Sequence, residues 1–328
     1  MRAVIELSGE HPTLPRAEAL AAIAAEGVEL RSAVFGPGLL RIDASGQVEA
    51  AALRLGLAHL VSEEIGVGDF DSIRAAARQT DLGGRTFRVR ASGVGVDVDT
   101  QSIEAALGTE FGRTGKVNLV RPDVEFRVLV GDEFILGRVV HRFDRGRLES
   151  RKVARRRFSL PISLHPKLAR ALVNLSRVPP GGTILDPFCG TGGIPLEASE
   201  MGLRVLAFDR VRRMVEGTRS TLRESGFSAN VAVADAGQLP VRSKGIHAIA
   251  TDPPYGRAAS TRGEPRDRLY ARAFEAFEDV LPEGRFASMV LPNESAIEIA
   301  STRLELVERH DLRVHRSLVR HFCVFVKA

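Results

Sequence analysis

Asp252-Pro253-Pro254-Tyr255 sets a carboxylate, two proline carbonyls and an aromatic ring side by side. The apolar run before it, Ile246-His247-Ala248-Ile249-Ala250, is predicted to be a buried parallel strand. Two consecutive prolines end that strand and fix φ at both positions. Neither proline carries an N–H, so the corner offers acceptors and a ring at the carboxyl end of a strand. In open α/β sheets that is where ligands bind. The chemistry suits a flat group bearing an amino function, such as the edge of a nucleobase. For a bare Pro-Pro the competing reading is an ordinary strand-ending turn.

Three strand ends upstream repeat the theme. Thr183-Ile184-Leu185 runs into Asp186-Pro187-Phe188-Cys189-Gly190-Thr191-Gly192-Gly193 and then into a helix. Glycines let backbone approach a ligand closely, and the helix start supplies free N–H groups. The spacing is neither G-x-G-x-x-G nor a P-loop. Asp186 would repel a pyrophosphate but welcome the cationic amino-acid end of S-adenosylmethionine. The candidate cofactor loop is therefore Asp186, Pro187, Cys189, Gly190, Thr191, Gly192 and Gly193. The strand Arg204 to Phe208 ends at Asp209, placed to accept from a ribose diol. The strand Asn230 to Ala234 ends at Asp235-Ala236, placed to accept from an adenine amino group. One such aspartate is most simply a turn residue; four at successive strand ends point to a site.

These corners need a doubly wound sheet to hold them. Short apolar strands alternate with helices from Thr183 onward, as that architecture requires. An amphipathic helix is expected over Pro166 to Leu175, with His165 as its cap or a packing residue rather than a base. Upstream, residues 1 to 47 read as strand, helix (Pro15 to Glu26), strand (Leu39 to Ile42). A helix from Val48 to Leu57 and a strand at Leu60-Val61 follow. Between 70 and 140 the pattern predicts a helix over Ser72 to Gln79 and a strand over Thr86 to Arg90. It then predicts a helix over Ile103 to Phe111, capped by Thr100 or Ser102. Strands follow at Val117 to Val120, Glu125 to Val130 and Glu133 to Val140, the last two joined by the turn Gly131-Asp132.

The 328 residues suggest two or three domains, and 44% hydrophobic with 27% charged residues is ordinary globular composition. No apolar run reaches membrane-spanning length, and no signal-peptide core is visible, so a cytoplasmic location and no membrane partner are the default expectation. Two cysteines cannot build a disulfide framework or a zinc site. Cys189 and Cys323 are expected to pack rather than to react. The net charge is +5. It concentrates between His141 and Arg157, where eight Arg or Lys face two acidic residues. Arg151, Lys152, Arg155, Arg156 and Arg157, with Arg257 beside the Pro-Pro corner, are candidates for phosphate contacts; a solvated linker is the alternative.

Taken together, these motifs resemble a known family. Residues 158 to 328 look like a Rossmann-like methyltransferase using S-adenosylmethionine. Asp252-Pro253-Pro254-Tyr255 resembles the motif of enzymes that methylate exocyclic nucleobase nitrogens. Phe87-Arg88-Val89-Arg90, Ser102-Ile103 through Leu107-Gly108, Val117 to Asp123 and Leu136-Gly137-Arg138 resemble a THUMP domain, an RNA-binding module. The whole is most similar to the archaeal tRNA guanine-N2 methyltransferases acting at position 10. Traces of that subfamily are His165 to Leu175, Asp186 to Ala198, and Asp252 to Arg257. Related enzymes tend to carry Asn where this chain has Asp252, and Pro195 stands where the family usually has an apolar residue.

The resemblance implies an α/β fold with an N-terminal α+β (ferredoxin-like plus THUMP) RNA-binding region. It implies a ferredoxin-like part at 1–47, a THUMP domain at 48–145, a basic linker at 146–160 and a Rossmann-like methyltransferase domain at 161–328. It implies tRNA as partner, S-adenosylmethionine as cofactor, no metal, and Asp252, Pro253, Pro254 and Tyr255 as the catalytic set. Three other readings stay open: a guanine-N2 methyltransferase for another tRNA or rRNA site, a DNA amino-methyltransferase with the same corner, and a non-catalytic RNA-binding protein.

Overall fold

The computed structural model describes residues 1–144, 163–255, 264–315 (of 315 the backbone only) and 318–328, with single positions 146, 148 and 158 between them. The elements of the N-terminal part are β1 (Arg2–Leu7), α1 (Leu14–Ala25), β2 (Leu30–Gly36), β3 (Leu39–Ala44), α2 (Glu49–Arg54), β4 (Ala58–Gly68), α3 (Phe70–Gln79), β5 (Thr86–Gly93), α4 (Thr100–Phe111), β6 (Lys116–Val117), β7 (Val124–Val130) and β8 (Phe134–Arg142). There follow α5 (Pro166–Leu175), β9 (Thr183–Asp186), α6 (Gly193–Glu200), β10 (Arg204–Asp209), α7 (Arg212–Glu224), β11 (Asn230–Val233), β12 (Ala248–Thr251), α8 (Arg266–Val280), β13 (Phe286–Leu291), α9 (Glu294–Ser301), β14 (Glu305–His315) and β15 (Leu318–Val326). They form two compact units.

The first unit takes in Met1–Glu10, Val28–Leu53 and Ala58–Phe143. Its sheet has the order β2-β3-β1-β4-β8-β7-β5-β6. β5 pairs in parallel with β7 and β6; the other pairs are antiparallel. The boundary expected at residues 47/48 falls inside this one sheet, because β4 pairs with β1 on one side and β8 on the other. α3 and α4 cover a core containing Phe87, Phe111 and Phe126, with the last two rings stacked at 3.8 Å.

Local chemistry shifts several expected bounds. Asp99, not Thr100 or Ser102, caps α4: its carboxylate accepts the Ser102 N–H at 3.1 Å, so the helix starts earlier. The strand expected at Val117 to Val120 shrinks to Lys116–Val117. There Asn118 turns the chain, its Oδ1 accepting the N–H groups of Val120 and Arg121 at 3.1 Å. The helix expected over Val48 to Leu57 stops at Arg54. β2 gave no periodic signal, since its residues are mostly exposed.

The second unit takes in His11–Gly27, Arg54–Leu57 and Asp144–Ala328. Its sheet order is β11-β10-β9-β12-β13-β15-β14. The first five strands run parallel and β15 runs antiparallel to both its neighbours. Chain order reverses between β9 and β12, which is the topological switch point. Side chains alternate across the sheet as pleating dictates. Ile184, Ala248, Ala250, Phe322 and Val324 join one core with α5 and α6, whereas Leu185, Ile249, Cys323 and Phe325 join another with α8 and α9. α5 has the bounds expected from sequence, with His165 Nδ1 accepting the Lys167 N–H at 3.3 Å as its cap. The helix α1 belongs to this unit. Its buried Glu18 accepts the N–H groups of Gly56 and Leu57 and the Asn174 amide at 2.7 to 2.8 Å.

Candidate active site

The glycine-rich turn after β9 gets its shape from its glycines. Gly190 and Gly192 take φ of +50° and +80°, a region that L side chains enter at a cost. A Cβ at Gly192 would also press on Thr218 at 3.1 Å. The turn closes with the Gly192 N–H donating to the Cys189 carbonyl at 2.8 Å, and α6 starts at Gly193 with its first N–H groups turned outward.

At the switch point, Asp186 and Asp252 end adjacent strands and open on one cavity. Its lining joins Asp186, Phe188, Cys189, Gly190, Thr191 and Gly193 to Asp252, Pro253, Pro254 and Tyr255, with Ser163 and Leu164 along the rim. Asp186 Oδ1 accepts from the Thr251 hydroxyl at 2.7 Å and the Phe188 N–H at 3.2 Å. Its Oδ2 is buried with no partner among the described residues. Asp252 Oδ1 is likewise buried and unpartnered among the described residues. Burial pushes both acids up, Asp186 to about 8 and Asp252 to about 7; the Arg320 guanidinium pulls Asp252 the other way. Two unsatisfied carboxylate oxygens facing one cavity call for ligands with donors or positive charge.

The other candidates differ in where they lie. Asp209 braces the turn, its two oxygens accepting the N–H groups of Gly190 at 3.1 Å and Val211 at 2.8 Å. Asp235 lies at the next strand end, accepting from the Gly237 N–H at 2.8 Å and from Arg272 at 3.3 Å, with Ala236 buried beside it. Neither Asp209 nor Asp235 is among the lining residues. Pro187 is buried in the turn. The Cys189 thiol lines the cavity, but burial raises its ionisation well above the usual thiol range, which leaves it unfit as a nucleophile. Arg151, Lys152, Arg155, Arg156, Arg157 and Arg257 lie outside the described residues.

A family model described as "UPF0020: RMKL-like, methyltransferase domain" matches residues 154–321. The chain belongs to this methyltransferase family. Over 329 residues it is 39% identical to the tRNA (guanine(10)-N2)-dimethyltransferase of Methanothermobacter thermautotrophicus, with 98% of each chain covered. It is 38% identical over 292 residues to the protein of the same name from Pyrococcus abyssi, covering 85% of this chain and 87% of that one. Among solved structures, TrmN from Thermus thermophilus is similar over the full length of both chains, with 25% identity and a TM-score of 0.54.

The geometry of this methyltransferase also exposes residues that sequence reasoning passed over. Tyr270 of α8 is buried, and its hydroxyl donates to the Pro254 carbonyl at 2.8 Å. That bond fixes the peptide between Pro254 and Tyr255. Thr251, the last residue of β12, ties the two strand ends together through Asp186. Ser163 meets Thr191 at 2.8 Å between hydroxyls. Arg320 of β15 is 7% exposed and holds its guanidinium carbon 5.7 Å from the Tyr255 ring centroid. Thr251 carries a usable signal, lying at the end of a strand that the sequence marks, whereas Tyr270 looks like any aromatic on a helix face. Arg320 carries no signal, because no sequence pattern reveals that β15 brings it to the Pro-Pro corner.

Proposed function

We propose that this chain is a tRNA guanine-N2 methyltransferase, forming N2-methyl- and N2,N2-dimethylguanosine at position 10. The observation that carries this reading is the buried Asp252 Oδ1, without a partner among the described residues, beside Tyr255 and set against the glycine turn at the switch point. The names of the relatives supply the substrate class. S-adenosylmethionine is the methyl donor and, when bound, supplies a methyl group activated by its sulfonium charge. Asp186 fits its cationic end, because the open Oδ2 gains a charged partner there. Gly190 to Gly193 leave room for close backbone approach, and Asp209 and Asp235 are the acceptors assigned to its ribose and adenine.

The remaining steps belong to the chain itself. The guanine amino nitrogen is a poor nucleophile, since its lone pair is delocalised into the ring. Asp252 Oδ1 and the Pro253 carbonyl accept hydrogen bonds from that amino group and aim it at the methyl. Alignment of this kind is worth orders of magnitude in rate. Positive charge grows on the amino group as the methyl arrives, and the Asp252 carboxylate stabilises it. The proton then leaves to Asp252 or to water. Tyr255 stacks on the base, which must leave its own stack to enter. The THUMP-like part is assigned to the first unit, with Arg151, Lys152, Arg155, Arg156, Arg157 and Arg257 on tRNA phosphates.

Mass spectrometry of nucleosides from a tRNA transcript treated with the protein and S-adenosylmethionine tests the reading. Methylated guanosine is expected in the fragment that carries position 10. Methylation of duplex DNA instead, or of no guanosine at all, would overturn it. Methylguanosine at another position would overturn the position alone.

A further inference from the structure

A buried arginine needs a partner that answers its charge, and Arg320 stands where no role has been assigned. It is 7% exposed and lies on β15, near the strand's start. Its guanidinium carbon is over the Tyr255 ring at 5.7 Å from the centroid, within the range of a cation–π contact. Tyr255 lines the cavity and Arg320 does not. Arg320 therefore meets Tyr255 from outside the set of residues that line the cavity. Its charge also acts on Asp252.

We propose that Arg320 is the positioning residue of the Pro-Pro corner, fixing the Tyr255 ring from outside the cavity lining and supplying the positive charge that Asp252 faces. This rests on the reading of Asp252 as acceptor and Tyr255 as stacking group. Among the described residues, the charged and titratable groups around Asp252 are Asp186 from the end of β9, Tyr255 in its own segment, Tyr270 from α8 and Arg320 from β15. Arg320 is the cation in that set. Burial opposes ionisation of Asp252 and the Arg320 charge favours it, so Arg320 helps the corner carry a carboxylate at neutral pH. A guanidinium is suited to this, being permanently charged, planar and weakly hydrated.

The chain has two tyrosines and no tryptophan, which makes the corner directly observable. Protein labelled with 3-fluorotyrosine gives two fluorine NMR signals, and Tyr270→Phe assigns them. The Tyr255 signal is expected to move with pH about a midpoint set by Asp252, and Asp252→Asn should abolish that movement. In Arg320→Met the midpoint is expected to rise by about one unit, the size of a lost neighbouring charge; Arg320→Gln serves the same purpose if the Met variant does not fold. Arg320→Lys keeps the charge and should keep the midpoint. The acid limb of kcat for tRNA methylation should follow the same order. An unmoved midpoint in the neutral variant, an equal rise in Arg320→Lys, or a Tyr255 signal indifferent to pH overturns the proposal. The NMR readout needs no tRNA. Wild-type protein that methylates no guanosine overturns the functional reading, whereas an unmoved midpoint overturns the Arg320 assignment alone.

Discussion

Asp252 and Asp186 are two acids kept apart in role by what touches them. Asp252 keeps an open oxygen toward the cavity; Asp186 is half-satisfied by Thr251 and Phe188. Replacing Asp252 by Ala should lower turnover by about 100-fold or more, the scale seen when a transition-state partner is lost, while calorimetry shows S-adenosylmethionine binding nearly unchanged. The pH dependence follows from burial. In the proposed mechanism the acceptor is the carboxylate, and burial holds it protonated up to about 7, so kcat should fall as pH drops through that value. For stability the sign is opposite. Both acids bind their proton more tightly folded than unfolded, where about 4 is usual, so their contribution is greatest at low pH and is lost as pH rises through about 7 to 8. A cationic ligand beside Asp186 favours its charged form. Binding of S-adenosylmethionine at pH 7 should therefore release a proton, measurable by calorimetry in buffers of different ionisation enthalpy. At pH 9, where Asp186 is already ionised, the release should vanish.

At the scale of elements, the site is three joints: the glycine turn into α6, the ends of β9 and β12, and α8 against the Pro-Pro corner. The first was legible, because Gly190, Gly192 and Asp186 can do little else in that order. The four aspartate-ended strands were legible for the same reason, since buried parallel strands are short apolar runs with clear ends. The hold of α8 was not. Tyr270 looks like any aromatic on a helix face, and only its hydroxyl on Pro254 gives it a role. β15 hid Arg320 because antiparallel pairing at a distance leaves no local trace, and exposed β2 hid because half its pattern was missing. Gly192→Ala should weaken S-adenosylmethionine binding and lower the melting temperature, since the left-handed φ and Thr218 both resist a methyl group. Tyr270→Phe leaves the Pro254 carbonyl without its donor. It should cost about 1 to 3 kcal/mol in the barrier, seen as a fall in kcat with little change in cofactor affinity.

At the scale of the molecule, the second unit is not the C-terminal stretch alone. α1 and residues 54–57 belong to it, through a buried network in which Glu18 meets Gly56, Leu57 and Asn174, and Arg54 meets Asn174 at 3.2 Å. Sequence suggested a cut near residue 161, since nothing in an alanine-rich helix announces a partner so far along the chain. A chain of residues 161–328 should therefore be markedly less stable to urea than the full chain. Glu18→Ala in the full chain should cost about 2 to 4 kcal/mol by stranding buried N–H groups. The proposed reaction at the Pro-Pro corner is methyl transfer to the 2-amino group of a tRNA guanine. Its most direct test is methyl transfer to two tRNAs that differ at position 10 alone, one with guanosine and one with inosine, which lacks that amino group. The wild type should methylate the guanosine tRNA but not the inosine tRNA, and Asp252→Ala should methylate neither. Equal methylation of both tRNAs would contradict it.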